Sequence, residues 1–305
     1  MRYATVMIIC DAHCDLLQKR VSQPDRVFDV SLASLKAGGV SLQTLALYKG
    51  RATDPAMIEQ LAQDMLAEFE RMKREEGFVQ IVDPGDAVAG EVKFLLSIEG
   101  GELIDQDLAQ IDAYYDLGVR MVGLIWNDPN RLATPNTGDP ATPLTHYGRQ
   151  VVKRLQDKGM AVDISHLNDG GVADILTRYD MPPLASHSGC RALKQHTRNL
   201  SDAQLKQLFA AGGFVGVPFY PLFLAEQEST LDSIVDHIEH MYELGGEGKV
   251  GFGSDFDGIS SKVPGLETPA GIPALIAHIR SRGFTERDVA SIAGQAFLDY
   301  FERIR

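Results

Sequence analysis

The chain reads as an α/β protein, a (β/α)8 barrel forming one domain over residues 1–305, with its working end at the C-terminal ends of the strands. Two observations predict this. Short apolar runs of strand type recur eight times, and amphipathic helical patterns separate most of them. The first, third, fifth and sixth runs each end in metal-binding residue types: His13 with Asp15, then Glu99, His166 and His187. Side chains from strand ends so far apart in order can meet only if the sheet curls and closes. The alternative, a doubly wound open sheet, would keep them apart.

The runs, in order, are Val6 to Cys10, Val40 to Leu47, Lys93 to Ile98, Val119 to Trp126, Met160 to Ser165, Pro183 to Ser186, Gly213 to Val217 and Lys249 to Ser254. Asp54-Pro55 caps a helix with proline at its first position, and Met57, Leu61, Met65, Phe69 and Met72 are expected on its buried face. Ser201 to Gln204 is a capping box ahead of Leu205, Leu208 and Phe209, with Gly212 as the stop. Leu231, Ile234, Val235, Ile238, Met241 and Tyr242 form another stripe, ended by Gly245-Gly246. Thr285 with Asp288 opens a last helix carrying Val289, Ile292 and Phe301. The Pro- and Gly-rich stretches 127–143 and 260–273 follow the fourth and eighth strands, where barrel enzymes place loops over the substrate. No linker, repeat or low-complexity segment divides the chain.

A length of 305 residues can bury a substantial core, and 44% apolar with 23% charged residues is ordinary for a soluble globular protein. The net charge of −13 argues against a nucleic-acid surface, which needs a basic stripe. Cys10, Cys14 and Cys190 are an odd number without scaffold spacing, so a reducing cytoplasm is the expected setting. The apolar run after Met1-Arg2 leads directly into the motif carrying His13, so no cleaved signal peptide is expected. No stretch of about 18 apolar residues suggests a membrane span.

Imidazole plus carboxylate is a zinc-compatible donor set, and one carboxylate can bridge two cations. On a strand, His13 and Asp15 point the same way. Each residue alone has a plainer reading: His-x-Asp as a turn, a strand-end histidine as a core imidazole, Glu99 as an exposed end. Two strands in succession ending in Ser-His are harder to explain that way. His146, His196, His237, His240 and His278 fall on expected helices or loops, as solvated or structural residues. Asp255, after the eighth strand, is either a turn cap or a general base toward a metal-bound water.

In combination these motifs resemble the membrane dipeptidase (renal dipeptidase) family, the M19 metallopeptidases of the amidohydrolase superfamily, over almost the entire chain. Asp11-Ala12-His13-Cys14-Asp15 is similar to that family's Asp-Gly-His-Asn-Asp. Ser97-Ile98-Glu99-Gly100-Gly101, Leu117-Gly118-Val119-Arg120 and Asp163-Ile164-Ser165-His166 follow in the family's order. Ser186-His187-Ser188, Arg198-Asn199-Leu200 and Gly253-Ser254-Asp255-Phe256-Asp257-Gly258 complete the set.

The resemblance implies two zinc ions bridged by Glu99 and a hydroxide, one ion held by His13 and Asp15 and the other by His166 and His187. It implies a dipeptide substrate whose peptide carbonyl the hydroxide attacks. Asp255 would shuttle the proton, and Arg198 would grip the C-terminal carboxylate. Three departures stand out. Trp126 replaces a histidine of the animal members, Cys14 replaces asparagine and faces away as packing, and Glu102 replaces another histidine. The loss of a histidine at 126 widens the range of substrates, since indole has no acid–base role. Beside a soluble dipeptidase, two alternatives remain: an amidohydrolase of N-acyl amino acids or other small amides, and a non-catalytic barrel with an unoccupied site. A homo-oligomer is compatible with either.

Overall fold

The computed structural model describes residues 7–305. Val6, the start of the first expected strand, lies outside the described residues. Eight parallel strands close into a barrel in chain order: β1 (Cys10–Asp11), β2 (Leu42–Tyr48), β3 (Lys93–Glu99), β4 (Val119–Gly123), β5 (Ala161–Asp163), β6 (Leu184–Ala185), β7 (Phe214–Val217) and β8 (Val250–Phe252). Closure comes from β1 pairing β8 in register Asp11 to Phe252, continued by the Ala12 N–H donating to the Phe252 carbonyl at 2.9 Å. β2 is buried at every residue, as expected of a parallel strand covered on both faces. The fourth strand ends at Gly123, so Trp126 belongs to the loop beyond it rather than to the strand.

One end of the barrel is plugged. Phe297, Tyr300 and Phe301 of the last helix, Ala296–Arg303, pack in one cluster with Cys10, Leu42, Leu95, Met121, Ala161, Leu184 and Phe214, residues from seven of the strands. That leaves the opposite end, where the strands finish, as the open mouth. There β6, β7 and β8 are drawn tightly together. A Cβ on Gly216 or Gly253 would fall 2.1 or 1.8 Å from the Ser186 carbonyl oxygen, so only glycine permits this approach.

The helices follow their sequence signals with two differences. In Pro55–Glu76, capped by Asp54 accepting from the Ala56 and Met57 N–H groups, the buried stripe is Ile58, Ala62, Met65, Phe69 and Met72. Met57, expected inside, is 62% exposed, because the true stripe starts one residue later. The helix opened by Thr285 and Asp288 is interrupted by a π-turn at Ser291–Gln295. The wide turn sets Gly294 against β1, where an added Cβ would lie 2.7 Å from the Ile8 oxygen. The capping box of Ser201 with Gln204 forms as expected. Of the two long loops, 127–143 reaches the mouth through Asn127, Asn136 and Thr137. The stretch 260–273 does not. It buries Val263 and Leu266 and folds onto the helix Leu32–Gly38, with Pro269 directly against Gly38.

Candidate metal centre and active site

Two buried aspartates fix the strand ends that carry the histidines. Asp11 accepts from the Ser254 and His13 N–H groups, from the Ser254 hydroxyl and from Gln43 Nε2, tying β1 to β2 and β8. Asp163 Oδ1 accepts from the Ser165 and Ser186 N–H groups, both at 2.9 Å, tying β5 to β6. The Ser165 hydroxyl then accepts from the His187 N–H at 3.1 Å. His166 and Asp255 take positive φ values of 69° and 63°, a conformation that costs energy for residues with a Cβ and turns both side chains inward.

The result is one compact cluster. His13 Nε2 lies 3.6 Å from Asp15 Oδ1, 3.6 Å from Glu99 Oε2 and 3.9 Å from Asp255 Oδ1. Glu99 Oε1 lies 2.9 Å from His166 Nε2 and 3.5 Å from His187 Nε2. The His13 and His187 rings stack with centroids 4.0 Å apart. All five residues proposed from the strand ends are therefore brought together with Asp255, and all five are buried.

The donor chemistry fits cations. His13 Nε2, Asp15 Oδ1 and Glu99 Oε2 are buried without a hydrogen-bond partner among the described residues, a costly state for polar atoms. His166 Nδ1 meets Asn127 Oδ1 at 3.1 Å, and His187 Nδ1 meets the Ser186 hydroxyl at 2.7 Å, which leaves both Nε2 atoms facing inward. Donor atoms of His13, Asp15 and Glu99 form one set, and those of Glu99, His166 and His187 another, each within 4.8 Å. A third set joins His13, His187 and Asp255. Glu99 is common to the first two.

The charges point the same way. Burial opposes charge on His13, but the Glu99 and Asp15 carboxylates hold its imidazole well above the ordinary histidine range. Burial and then Glu99 raise Asp15, while burial and the Asp15 charge raise Asp255. Burial, with Arg198 nearby, pushes His166 down to about 4 and His187 well below its ordinary value. Three carboxylates and three imidazoles gathered in one cluster thus favour added positive charge.

Arg198 is not on the surface. It is 5% exposed, donates from Nη2 to the His187 carbonyl at 3.3 Å and lies over the Phe223 ring at 5.4 Å. Its Nε has no hydrogen-bond partner among the described residues. Asn199 holds this loop by accepting from the Gly189 N–H and donating to the Phe223 carbonyl. Arg198 lines a cavity of about 810 Å³ together with Asp15, Glu99, His166 and Asp255, large enough for a small peptide.

Trp126 stands on the cavity wall between Tyr48 (5.4 Å) and His166 (6.4 Å), with the Lys49 ammonium 5.9 Å from its ring. Glu102 is packed nearby with Oε2 unpartnered, and burial pushes its carboxyl upward. Cys14 is fully buried and bridges to Phe256, in line with a packing role. His237 is structural, accepting from the Cys190 N–H at Nδ1 and bonded to the Leu224 carbonyl through Nε2. His196 lies in a loop, as expected, where it accepts the Arg198 N–H at Nδ1 and also lines the cavity. Sequence reasoning gave no role to Asp11 and Asp163. Their only signal is an aspartate two residues before His13 and three before His166.

Comparison with known proteins adds a lineage. Residues 2–305 match the sequence profile of the family described as membrane dipeptidase (peptidase family M19). An uncharacterized dipeptidase of Schizosaccharomyces pombe is 37% identical over 217 residues, covering 67% of this chain and 52% of that protein. The chain thus spans about half the length of this relative. A Klebsiella pneumoniae protein encoded in the pqqA 5′ region is 35% identical over 200 residues, covering 62% of this chain and 73% of its own. Among solved structures, a Rhodobacter sphaeroides metallopeptidase liganded with a phosphinate mimic of L-Ala-D-Ala superposes with a TM-score of 0.88 at 26% identity. The match covers 98% of this chain and all (100%) of that one.

Proposed function

Because the chain belongs to the membrane dipeptidase family, peptidase family M19, we propose that it hydrolyses the peptide bond of free dipeptides with two zinc ions held at the barrel mouth. The observation that carries this reading is Glu99. One of its oxygens faces His166 and His187, the other faces His13, as a carboxylate shared by two cations would. In this reading His13 and Asp15 hold one ion, His166 and His187 the other, and residues 1–305 form one catalytic domain.

Two zinc ions held by these residues would supply Lewis-acid activation of a water and of the peptide carbonyl. The protein's own groups do the rest. Asp255, raised by burial and by Asp15, accepts the proton of the attacking water at a carboxylate oxygen and returns it to the leaving amine. Arg198 offers an unpartnered Nε in a dry site to the C-terminal carboxylate of the substrate. Trp126 contributes no proton transfer, and its ring lines the cavity beside His166.

Among the described residues no helix is long and apolar enough to cross a membrane. The three cysteines are free and buried, which supports a cytoplasmic setting. The reading is tested by measuring zinc content and turnover together, on free dipeptides and on N-acetyl amino acids. About two zinc ions per chain with hydrolysis of dipeptides is the expected result. Cleavage of N-acetyl amino acids alone would transfer the site to that other amide class, and a metal-free, inactive protein would reject the reading.

A further inference from the structure

The charged residues lining the cavity are sorted by sign. The acidic ones, Asp15, Glu99 and Asp255, all belong to the cluster on its floor. The fixed cations are Lys19, Arg51 and Arg198, and none of the three forms an ion pair among the described residues. In a chain of net charge −13, where many lysines and arginines are paired on the surface, such a gathering of uncommitted positive charge is unusual.

The cations also face one another. Arg198 lies beyond β6, whereas Lys19 lies in the helix Leu16–Ser22 after β1, and Arg51 follows β2. In a closed ring of eight strands, β2 and β6 are diametrically opposed. The Lys19–Arg51 side is built rather than loose. The Tyr48 hydroxyl donates to Gln18 Oε1 at 3.3 Å. Gly50, at φ 57°, brings the loop down so closely that an added Cβ would lie 2.9 Å from Gln18 Nε2. This seats Arg51 beside the helix that carries Lys19.

We propose that the enzyme prefers dipeptides whose N-terminal residue is acidic, Asp or Glu, its side-chain carboxylate bound by Lys19 and Arg51 across the cavity from Arg198. The inference rests on the dipeptidase reading above. With the C-terminal carboxylate at Arg198 and the peptide bond over the floor cluster, the N-terminal side chain extends to the opposite wall. A neutral side chain there leaves two cations uncompensated. An acidic one meets both, and its binding overcomes the repulsion of an acidic protein.

The test compares isosteric pairs on the zinc-loaded enzyme: Glu-Ala with Gln-Ala, and Ala-Glu with Ala-Gln. The readout is the ratio of kcat/KM within each pair. Wild type should favour Glu-Ala over Gln-Ala about tenfold or more, in the range of a charge-assisted contact. The double variant K19Q/R51Q should bring that ratio near one, and each single variant should lower it. Raising salt from about 0.05 M to about 0.5 M should also lower it in wild type, which keeps the test open if the double variant fails to fold. A ratio near one in wild type, a ratio unmoved by both substitution and salt, or a preference confined to Ala-Glu overturns the assignment. If Gln-Ala is cleaved without preference, only this assignment falls. If no dipeptide is cleaved, the dipeptidase reading falls and this inference with it.

Discussion

His166 and His187 turn the same ring nitrogen toward each other, Nε2 to Nε2 at 3.1 Å, while the Nδ1 of each is engaged by a neighbouring side chain. Two imidazole nitrogens aimed at one point beside a carboxylate are the arrangement that ligands of a shared cation take. Both are pushed toward the neutral, ligating form by burial.

His166→Ala and His187→Ala should therefore each abolish hydrolysis and lower bound zinc. The fold should survive, because the strand–helix core lies elsewhere. Metal analysis and circular dichroism on the purified variants check both points. Wild-type turnover with full metal content in either variant would remove the two histidines from the site.

Asp255→Asn should leave bound-metal content unchanged and lose about 10²–10⁴-fold in kcat, the usual range for general acid–base catalysis. Asparagine preserves size but cannot take up the proton. A loss of less than about tenfold would take Asp255 out of the mechanism.

Arg198→Met should lower kcat/KM for free dipeptides by about 10- to 150-fold, the range of a charge-assisted hydrogen bond. Dipeptides amidated at the C-terminus, having no carboxylate to lose, should be little affected. Because Arg198 also donates to the His187 carbonyl, equal losses on both substrates would mark it as structural.

His237 should make stability fall in mild acid. Burial pushes its pKa from 6.5 down to about 4, and its neutral ring both accepts from the Cys190 N–H and bonds the Leu224 carbonyl. Below pH 6.5 the unfolded chain binds a proton that the folded one refuses until about pH 4. Its cost is thus absent above that window and grows as pH falls through it, at about 1.4 kcal/mol per pH unit. Urea titrations at pH 7 and pH 4.5 should show a smaller acid-induced loss for His237→Gln than for wild type. Equal losses would exclude this histidine as a source.

The closed barrel was legible because its signals are local. An apolar run, a polar residue at its end and a capped amphipathic helix each depend on neighbours a few residues away. His13, Asp15, Glu99, His166, His187 and Asp255 could be singled out for that reason, each standing just past such a run, and the family resemblance named Arg198. Residues whose meaning comes from distant partners could not be read this way. Asp163 matters because it joins β5 to β6, and Asp11 because it joins β1 to Ser254 at the far end of the chain. Met57 against Ile58 was decided by a rotation of one residue on a helix, too small for periodicity to resolve. The stretch 260–273 had the composition of a covering loop, yet packing against Gly38 took it away from the mouth. Burial of Arg198 and the placement of Lys19 and Arg51 opposite it follow from ring closure. Sequence patterns of period 2 and 3.6 determine which elements form; which side chains share a cavity is decided only when the eighth strand meets the first.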